Sequence, residues 1–598
     1  MPRPGPGNPH NPVRSSGAGD TLVNGNGSGA RIIDRSTGAA RAGLTAGRGT
    51  SSSGRARRPS LVGLASIGIV LVVLLSALAF IALTPSGTSA ARTARGPIVI
   101  VSDAAFTTEN GVVSGSGTPA NPYVISGWEI PVDSGSAITV TGTTAHFVIT
   151  DVRLNGTASY TPPAYLLSMT DVSNATVSYS VMNDTDGGIV LDGCRDISIV
   201  RDEFTSIYGW AIHVISSDRV NVLASSYLCA AGVWMEECSS GAVVLNEMAG
   251  VEIGINLWAC DDVIAAENVI PSATSYGITG SGCSNMTVMG NTLEACTFAI
   301  DITACENTTV LANEVNASTA SGIFIDQCTK DVLVAHNLVN WTHGYCGVVV
   351  DTSSGVVVRD NILANNTAEY SWFCEGGGVY LHTSTGITVY NNSFIDNLPL
   401  QAEDTAGIHV NHWNLTYPGG GNYWHEWTEP DLCSGSEQDD SLAGPDGFVD
   451  LPYDIDGDTA DGYPLTDRPA LDTKPVAVVE VRPSSGDIST LFELNASGSY
   501  DPDDGCGDPL QEYRWDLDGN GSWDSDWSDD GNITWQYTLP GNYTVLIEVR
   551  DGSGLSGFAF VDLVVSEYAI PEFGAIVVPV LAMVGLFAVI ARARRSRA

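Results

Sequence analysis

Four segments decide the fold: VWMEECSSGAVVLN (Val233–Asn246), INLWACDDVIAAEN (Ile255–Asn268), ITGSGCSNMTVMGN (Ile278–Asn291) and IDITACENTTVLAN (Ile300–Asn313). In each, a β-branched residue is followed five positions on by Cys and thirteen positions on by Asn. The frame extends outward at steps of 21 to 31 residues, to Ile138, Leu167, Ile189 and Ile212 on one side and Ile323, Val348, Val379 and Ile408 on the other. With those residues as offset zero, offset two is usually apolar (Leu191, Val214, Met235, Leu257) and offset ten β-branched (Val177, Ile199, Val222, Val243). Offset fifteen is apolar again (Phe204, Met248, Ile270, Leu293). Short strands joined by bends, with about 22 residues per turn, describe a parallel β-helix, whose coils bury their inward side chains only by stacking.

Cys194, Cys238, Cys260, Cys283, Cys305 and Cys328 hold offset five, and Ser353 and Ser384 replace them later. Coils about 4.8 Å apart stack these side chains as a ladder of small buried hydrophobes. Parallel Cβ vectors disfavour disulfides within it. Cys346 with Cys374, and Cys433 with Cys506, lie outside the ladder and are disulfide candidates that sequence alone does not pair. Asn246, Asn268, Asn291, Asn313, Asn361 and Asn392 hold offset thirteen, where a stacked Asn at a bend takes the left-handed conformation and bonds neighbouring coils.

Charge is segregated along the 598 residues. Residues 1–60 carry nine Arg against Asp20 and Asp34, and their Gly/Ser/Pro-rich composition predicts a disordered cytoplasmic tail. Residues 97–570 carry 65 acidic against 11 basic side chains, which argues against nucleic acid as a partner. Leu61–Leu83 is a 23-residue uncharged run preceded by Arg55, Arg57 and Arg58, read as an uncleaved transmembrane anchor with its amino end in the cytoplasm, with cleavage near Ala90 as the rival. Gly574–Ala591 is a second apolar run, followed by Arg592, Arg594, Arg595 and Arg597. The acidic body between them is therefore expected outside the cell. Numerous Asn-x-Ser/Thr sites there, such as Asn285 and Asn391, fit a glycoprotein.

Gly115–Ile130 (GSGTPANPYVISGWEI) and Gly420–Trp424 (GGNYW) resemble the entry and exit motifs of NosD-like proteins. That resemblance covers about residues 97–465 and implies a right-handed parallel β-helix of the carbohydrate-binding and sugar-hydrolase type, with a role on archaeal surfaces. Copper handling of the NosD kind is a further alternative. Leu494–Asp504, Tyr513–Asp516 and Tyr537–Gly554 resemble a polycystic-kidney-disease-type (PKD) domain, which implies an immunoglobulin-like β-sandwich acting as a spacer or adhesive module. Pro571, Glu572 and Phe573, with the apolar run and Arg cluster, resemble the PEF-type sorting signal that an archaeosortase cleaves. The expected class is all-β: β-helix over 97–426, an Asp/Gly-rich segment over 427–472, the sandwich over 474–567 and the sorting signal with its helix over 571–598.

Strand alternation turns offsets one and three outward on one face. There Trp234, Glu236, Trp258, Phe324, Tyr380 and His382 mix aromatic rings with polar groups, a composition suited to polysaccharide or envelope glycans. On the same face Asp326 and Asp351 hold equivalent positions on adjacent coils, on the order of 5 Å apart, with Asp301 one coil away, which is the carboxylate spacing of a retaining glycoside hydrolase. The face has no Lys or Arg to hold a substrate carboxylate, which disfavours a lyase. Two segments have the spacing of calcium ligands: Asp454, Asp456, Asp458 and Asp461, and Asp516, Asp518, Asn520 and Asp524. His382, His409, His412 and His425 fall in the last coils as candidate copper or zinc ligands.

Overall fold

The computed structural model describes residues 92–157, 165–369, 374–405, 410–503 and 509–566. Ile408, His409, Cys506, both apolar runs and Pro571–Phe573 lie outside the described residues. Among those described, no helix is long and apolar enough to cross a membrane.

The repeat forms a three-sheet parallel β-solenoid. Each coil lays one strand in each sheet, and equivalent offsets pair in register, as in Ile255↔Ile278 on the first sheet, Val288↔Val310 on the second and Leu293↔Val315 on the third. Side chains at offsets zero, two, ten and fifteen form one continuous buried core, from Ile98 to Trp424. The last coil departs from expectation, because Val379 pairs with Ala402 rather than with a residue near Ile408, so that coil begins six residues earlier.

The bends divide their work between two adjacent residues. The expected left-handed Asn is instead an Asn preceded by a left-handed residue: Leu245, Glu267, Ala312, His336, Asp360 and Asn391 all have φ between 51° and 60°. The Asn then uses its side chain to hold the next coil. Asn268 donates both its backbone N–H and its Nδ2 to Oδ1 of Asn291, each at 2.9 Å. This ladder includes Asn337 and Asn422, which the simple spacing missed, and runs on to Asp461, whose Oδ2 accepts from Asn422 N at 2.7 Å and Trp424 Nε1 at 2.9 Å. Near its other end, Asp202 accepts from Ser180 N at 2.7 Å, and burial pushes its carboxyl well above the usual carboxylate range. The six ladder cysteines are free and buried. Cys260 N bonds the Cys283 sulfur at 3.4 Å, and the row continues through Cys328 N to Ser353 Oγ at 3.0 Å. Cys346 and Cys374 form a disulfide.

A second ladder, at the position before offset zero, is made of small residues (Gly188, Ala211, Gly232, Gly254, Gly277, Ala299, Gly322, Gly347, Gly378). A Cβ on Gly254 would lie 2.5 Å from the carbonyl oxygen of Gly277 on the next coil, so this position takes no side chain, although Ala211 and Ala299 keep a methyl group in the same row.

Residues 474–566 form a β-sandwich of one three-stranded and one four-stranded sheet, around Phe492, Leu494, Trp515, Tyr537, Ile547 and Leu563. The sandwich packs against the side of the solenoid. Its footing is the row of left-handed residues between the second and third sheets. Tyr179 Oη lies 2.7 Å from Thr544 Oγ1 and donates to Asp562 at 3.0 Å. The Arg201 guanidinium reaches Asp562 at 2.8 Å and covers the Phe560 ring at 4.8 Å. Lys474 pairs with Glu267, and His336 lies 3.7 Å from Asp472. Beneath this contact Val200, Leu223, Val244 and Ala266 are buried against Phe558.

Candidate functional site

The first sheet keeps an outer face on which register, and not chance, aligns the side chains. Trp234 pairs with Asn256 and Glu236 with Trp258, while Asp326 pairs with Asp351 and Asp351 with His382. Two patches result, separated by the small polar residues Asn256, Thr279 and Ser281.

In the first patch Trp234 stacks on His213 at 4.1 Å and 8°, and Trp210 leans against it at 5.5 Å. Burial lowers the pKa of His213, against the opposing pull of the Glu236 carboxylate. The Tyr165 hydroxyl lies 3.1 Å from its Nδ1, and Glu236 lies 3.5 Å from its Nε2. Trp258 is 44% exposed, one coil on from Glu236.

In the second patch Tyr276 stacks on Phe298 at 5.5 Å, and Phe298 meets Phe324 edge-on at 6.0 Å. Beside these rings run three half-buried carboxylates. Asp301 accepts from Thr303 Oγ1 at 3.1 Å, Asp326 from Gln327 Nε2 at 2.8 Å, and Asp351 from Thr352 Oγ1 at 2.9 Å. His382 Nδ1 lies 2.8 Å from Asp351 Oδ1. Burial, reinforced by the charge of Asp326, pushes the Asp301 carboxyl up to about 6. Asp301 is level with Phe324 rather than in line with Asp326, which pairs with Thr303 on that coil. Asp301 and Asp326 therefore face each other on the diagonal, while Asp326 and Asp351 are direct register partners.

Several expectations are corrected. Tyr380 is 3% exposed and packed with Cys346, Val349, Ala368 and Cys374, so its ring is not available to a ligand. Asp461 is wholly buried as the end of the Asn ladder and does not join Asp454, Asp456 and Asp458. Asp454 accepts from Gly457 N at 2.7 Å, and Asp456 accepts from Thr459 N at 2.8 Å, each holding its own turn. His382 belongs to the first sheet, His412 bridges to Thr388 of the second, and His425 bonds Asp396 at 3.0 Å beyond the third, so these three do not converge.

In the sandwich, Asp516, Asp518 and Asp524 do converge, with one ligand oxygen from each lying within 4.8 Å of the others. Burial, then the charge of Asp518, pushes Asp516 up to about 8. Asn520 turns its side chain to Ser522 N at 2.7 Å, and its backbone oxygen accepts from Ser198 Oγ of the solenoid at 2.6 Å.

The aromatics Trp210, Tyr276 and Phe298 were missed by reading offsets one and three alone. All sit two positions before offset zero, on the same strands as the residues at offsets one and three.

Among solved structures, the chain resembles the PKD1 domain of Vibrio anguillarum Epp (24% identity, 16% of this chain and 98% of that one, TM-score 0.13). It also resembles DFA-IIIase from Arthrobacter chlorophenolicus A6 (12% identity, 48% and 82%, TM-score 0.31). A third is the Streptococcus pneumoniae surface protein and adhesin PfbA (10% identity, 51% and 98%, TM-score 0.32). No curated protein matches the chain. The family model described as periplasmic copper-binding protein (NosD) matches residues 121–313 and 215–429, together more than half of the sequence. The described residues do not fit a copper centre. The ladder thiols are buried among backbone carbonyls, the three described C-terminal histidines lie apart, and the one convergent group is all carboxylate, a donor set for hard cations. Its solenoid, bounded by the Gly115–Ile130 and Gly420–Trp424 motifs, and its match to that model make the chain a member of the NosD family.

Proposed function

We propose that the protein binds glycans at the cell surface. The observation that carries this reading is the first-sheet face, where Trp234, Trp258, Phe298 and Phe324 offer rings within a coil or two of Glu236, Asp301, Asp326 and Asp351. Ring faces take sugar C–H groups, and carboxylates take hydroxyls. Anchorage by the runs Leu61–Leu83 and Gly574–Ala591 places the acidic body outside the membrane, with the PKD-type sandwich beside the solenoid. An archaeosortase cleaves near Pro571–Phe573, and intact mass of the membrane-extracted protein tests this, since retention of Ala598 rules it out.

Retention of the full chain on a glycan array, run beside a reducing-sugar assay, tests the main reading. Trp258→Ala is expected to weaken retention about tenfold, as loss of an exposed stacking ring does. A chain retained by no glycan sinks the proposal. The same assay tests a second reading, hydrolysis, which the raised proton affinity of Asp301 favours. There Asp301 protonates the leaving oxygen and Asp326 acts from the other side of the bond. Reducing ends released by the wild type and lost about 10²–10⁴-fold in Asp301→Asn support it.

Calcium is the cation we assign to Asp516, Asp518 and Asp524. Asp516, on which burial favours the proton, would bind a cation there only as the carboxylate. Chelation with EGTA is expected to lower the melting temperature of the sandwich by about 4–8 °C for each kcal/mol of binding lost. A melting curve indifferent to both EGTA and added calcium excludes the site.

A further inference from the structure

Resting on the glycan reading, the charge of the second patch identifies which glycan. We propose that this face takes a polysaccharide bearing protonated amino groups, laid along the solenoid so that successive ammonium groups meet Asp301, Asp326 and Asp351. Asp326 and Asp351 are register partners on adjacent strands, and Asp301 lies diagonally one coil before Asp326. Asp326 and Asp351 are thus one strand spacing, about 4.8 Å, apart, Asp301 is set off from Asp326 by about 7–8 Å on the diagonal, and an extended chain crossing the coils obliquely meets them in turn.

The row has no Lys or Arg counterpart among the described residues, and its one imidazole neighbour there is His382 on Asp351. Among the described residues, offsets one and three of the first sheet include no Lys or Arg, and no Lys or Arg ion pair involves Asp301, Asp326 or Asp351. Their hydrogen-bond donors are the neutral groups of Thr303, Gln327 and Thr352, with His382 on Asp351. At the other end of the same face Glu236 adds a further carboxylate. An anionic uronate would be repelled along its length, and a neutral sugar would leave the charges uncompensated. An amino sugar brings cations that also sit well against the rings of Phe298 and Phe324.

The test measures binding of the full chain to three hexasaccharides: fully deacetylated glucosamine, its N-acetylated form and galacturonate. The glucosamine oligomer is expected to bind at least about tenfold more tightly than the other two, and to weaken about tenfold in Asp326→Asn and in Asp351→Asn. Its affinity should also fall as ionic strength rises past a Debye length of about 8 Å, a readout that does not depend on a variant's folding. Equal binding of the acetylated oligomer, or tighter binding of the galacturonate, overturns the charge selection while leaving glycan binding in place. Binding of none of the three, with an empty glycan array, overturns both.

Discussion

Asn291→Ala is expected to destabilise the solenoid by about 3–5 kcal/mol, an exceptional cost for one surfaceless polar residue. Asn291 is wholly buried. Its Oδ1 is the acceptor for both Asn268 N and Asn268 Nδ2, and its Nδ2 donates to Ala265 O and Asn313 Oδ1, all at 2.9 Å. Alanine removes four bonds at once and strands their partners in a dry interior, where each unpaired group costs about 1–3 kcal/mol. Because coils touch only their neighbours, the damage should be local, with amide exchange accelerated first around Asn268 and Asn313. Glu294→Ala, at an exposed position on the third sheet, provides the comparison and should stay within about 0.5 kcal/mol. A loss below about 1 kcal/mol for Asn291→Ala would show that the ladder is ornamental.

The second large effect is a pH dependence carried by Asp461. Its carboxylate is fully buried, and burial pushes it up to about 6 although Asn422, Trp424 and Tyr463 donate to it. The folded chain therefore holds this proton more tightly than the unfolded chain, where an aspartate titrates near 3.9. The stabilisation is fully present below about pH 4, is lost as pH rises through about 6 and is constant above. A shift of about two units corresponds to about 3 kcal/mol. Asp461→Asn cannot titrate, so the stability difference between wild type and variant should change by about that amount between pH 4 and pH 7 in denaturant unfolding. A difference that does not vary over this window would mean that the donors, and not burial, govern the carboxyl.

Much of the fold was legible because a solenoid writes its core at fixed offsets. Ile278, Val288 and Leu293 could be placed inward from spacing alone, and all three are wholly buried. The cysteines could be read as packed thiols for the same reason. What spacing could not show was which of two adjacent bend residues takes the left-handed backbone, since Leu245 and Glu267 are poor residues for it by intrinsic preference. The outward apolar run Val200, Leu223, Val244 and Ala266 was a signal of the strip that the sandwich covers. At the candidate site, the rows of residues were legible and their accessibility was not. Tyr380 and Phe324 look alike in the repeat frame, yet Tyr380 is buried inside the cluster of Cys346, Val349, Ala368 and Cys374, while Phe324 packs at its edge and stays half-buried. Asp461 was misread because a run of Asp and Gly resembles an ion loop whether its carboxylates face one another or the end of a hydrogen-bonded ladder.

The side-on seating of the sandwich has a mechanical consequence. A pull on the chain beyond Ser566 acts on a strand that belongs to the sandwich, and the sandwich grips the solenoid at Tyr179, Arg201 and Glu267, well before its last coil. The force is thus delivered to the flank of the stack as shear across several coils, so the terminal coil at Trp424 is shielded from being peeled away.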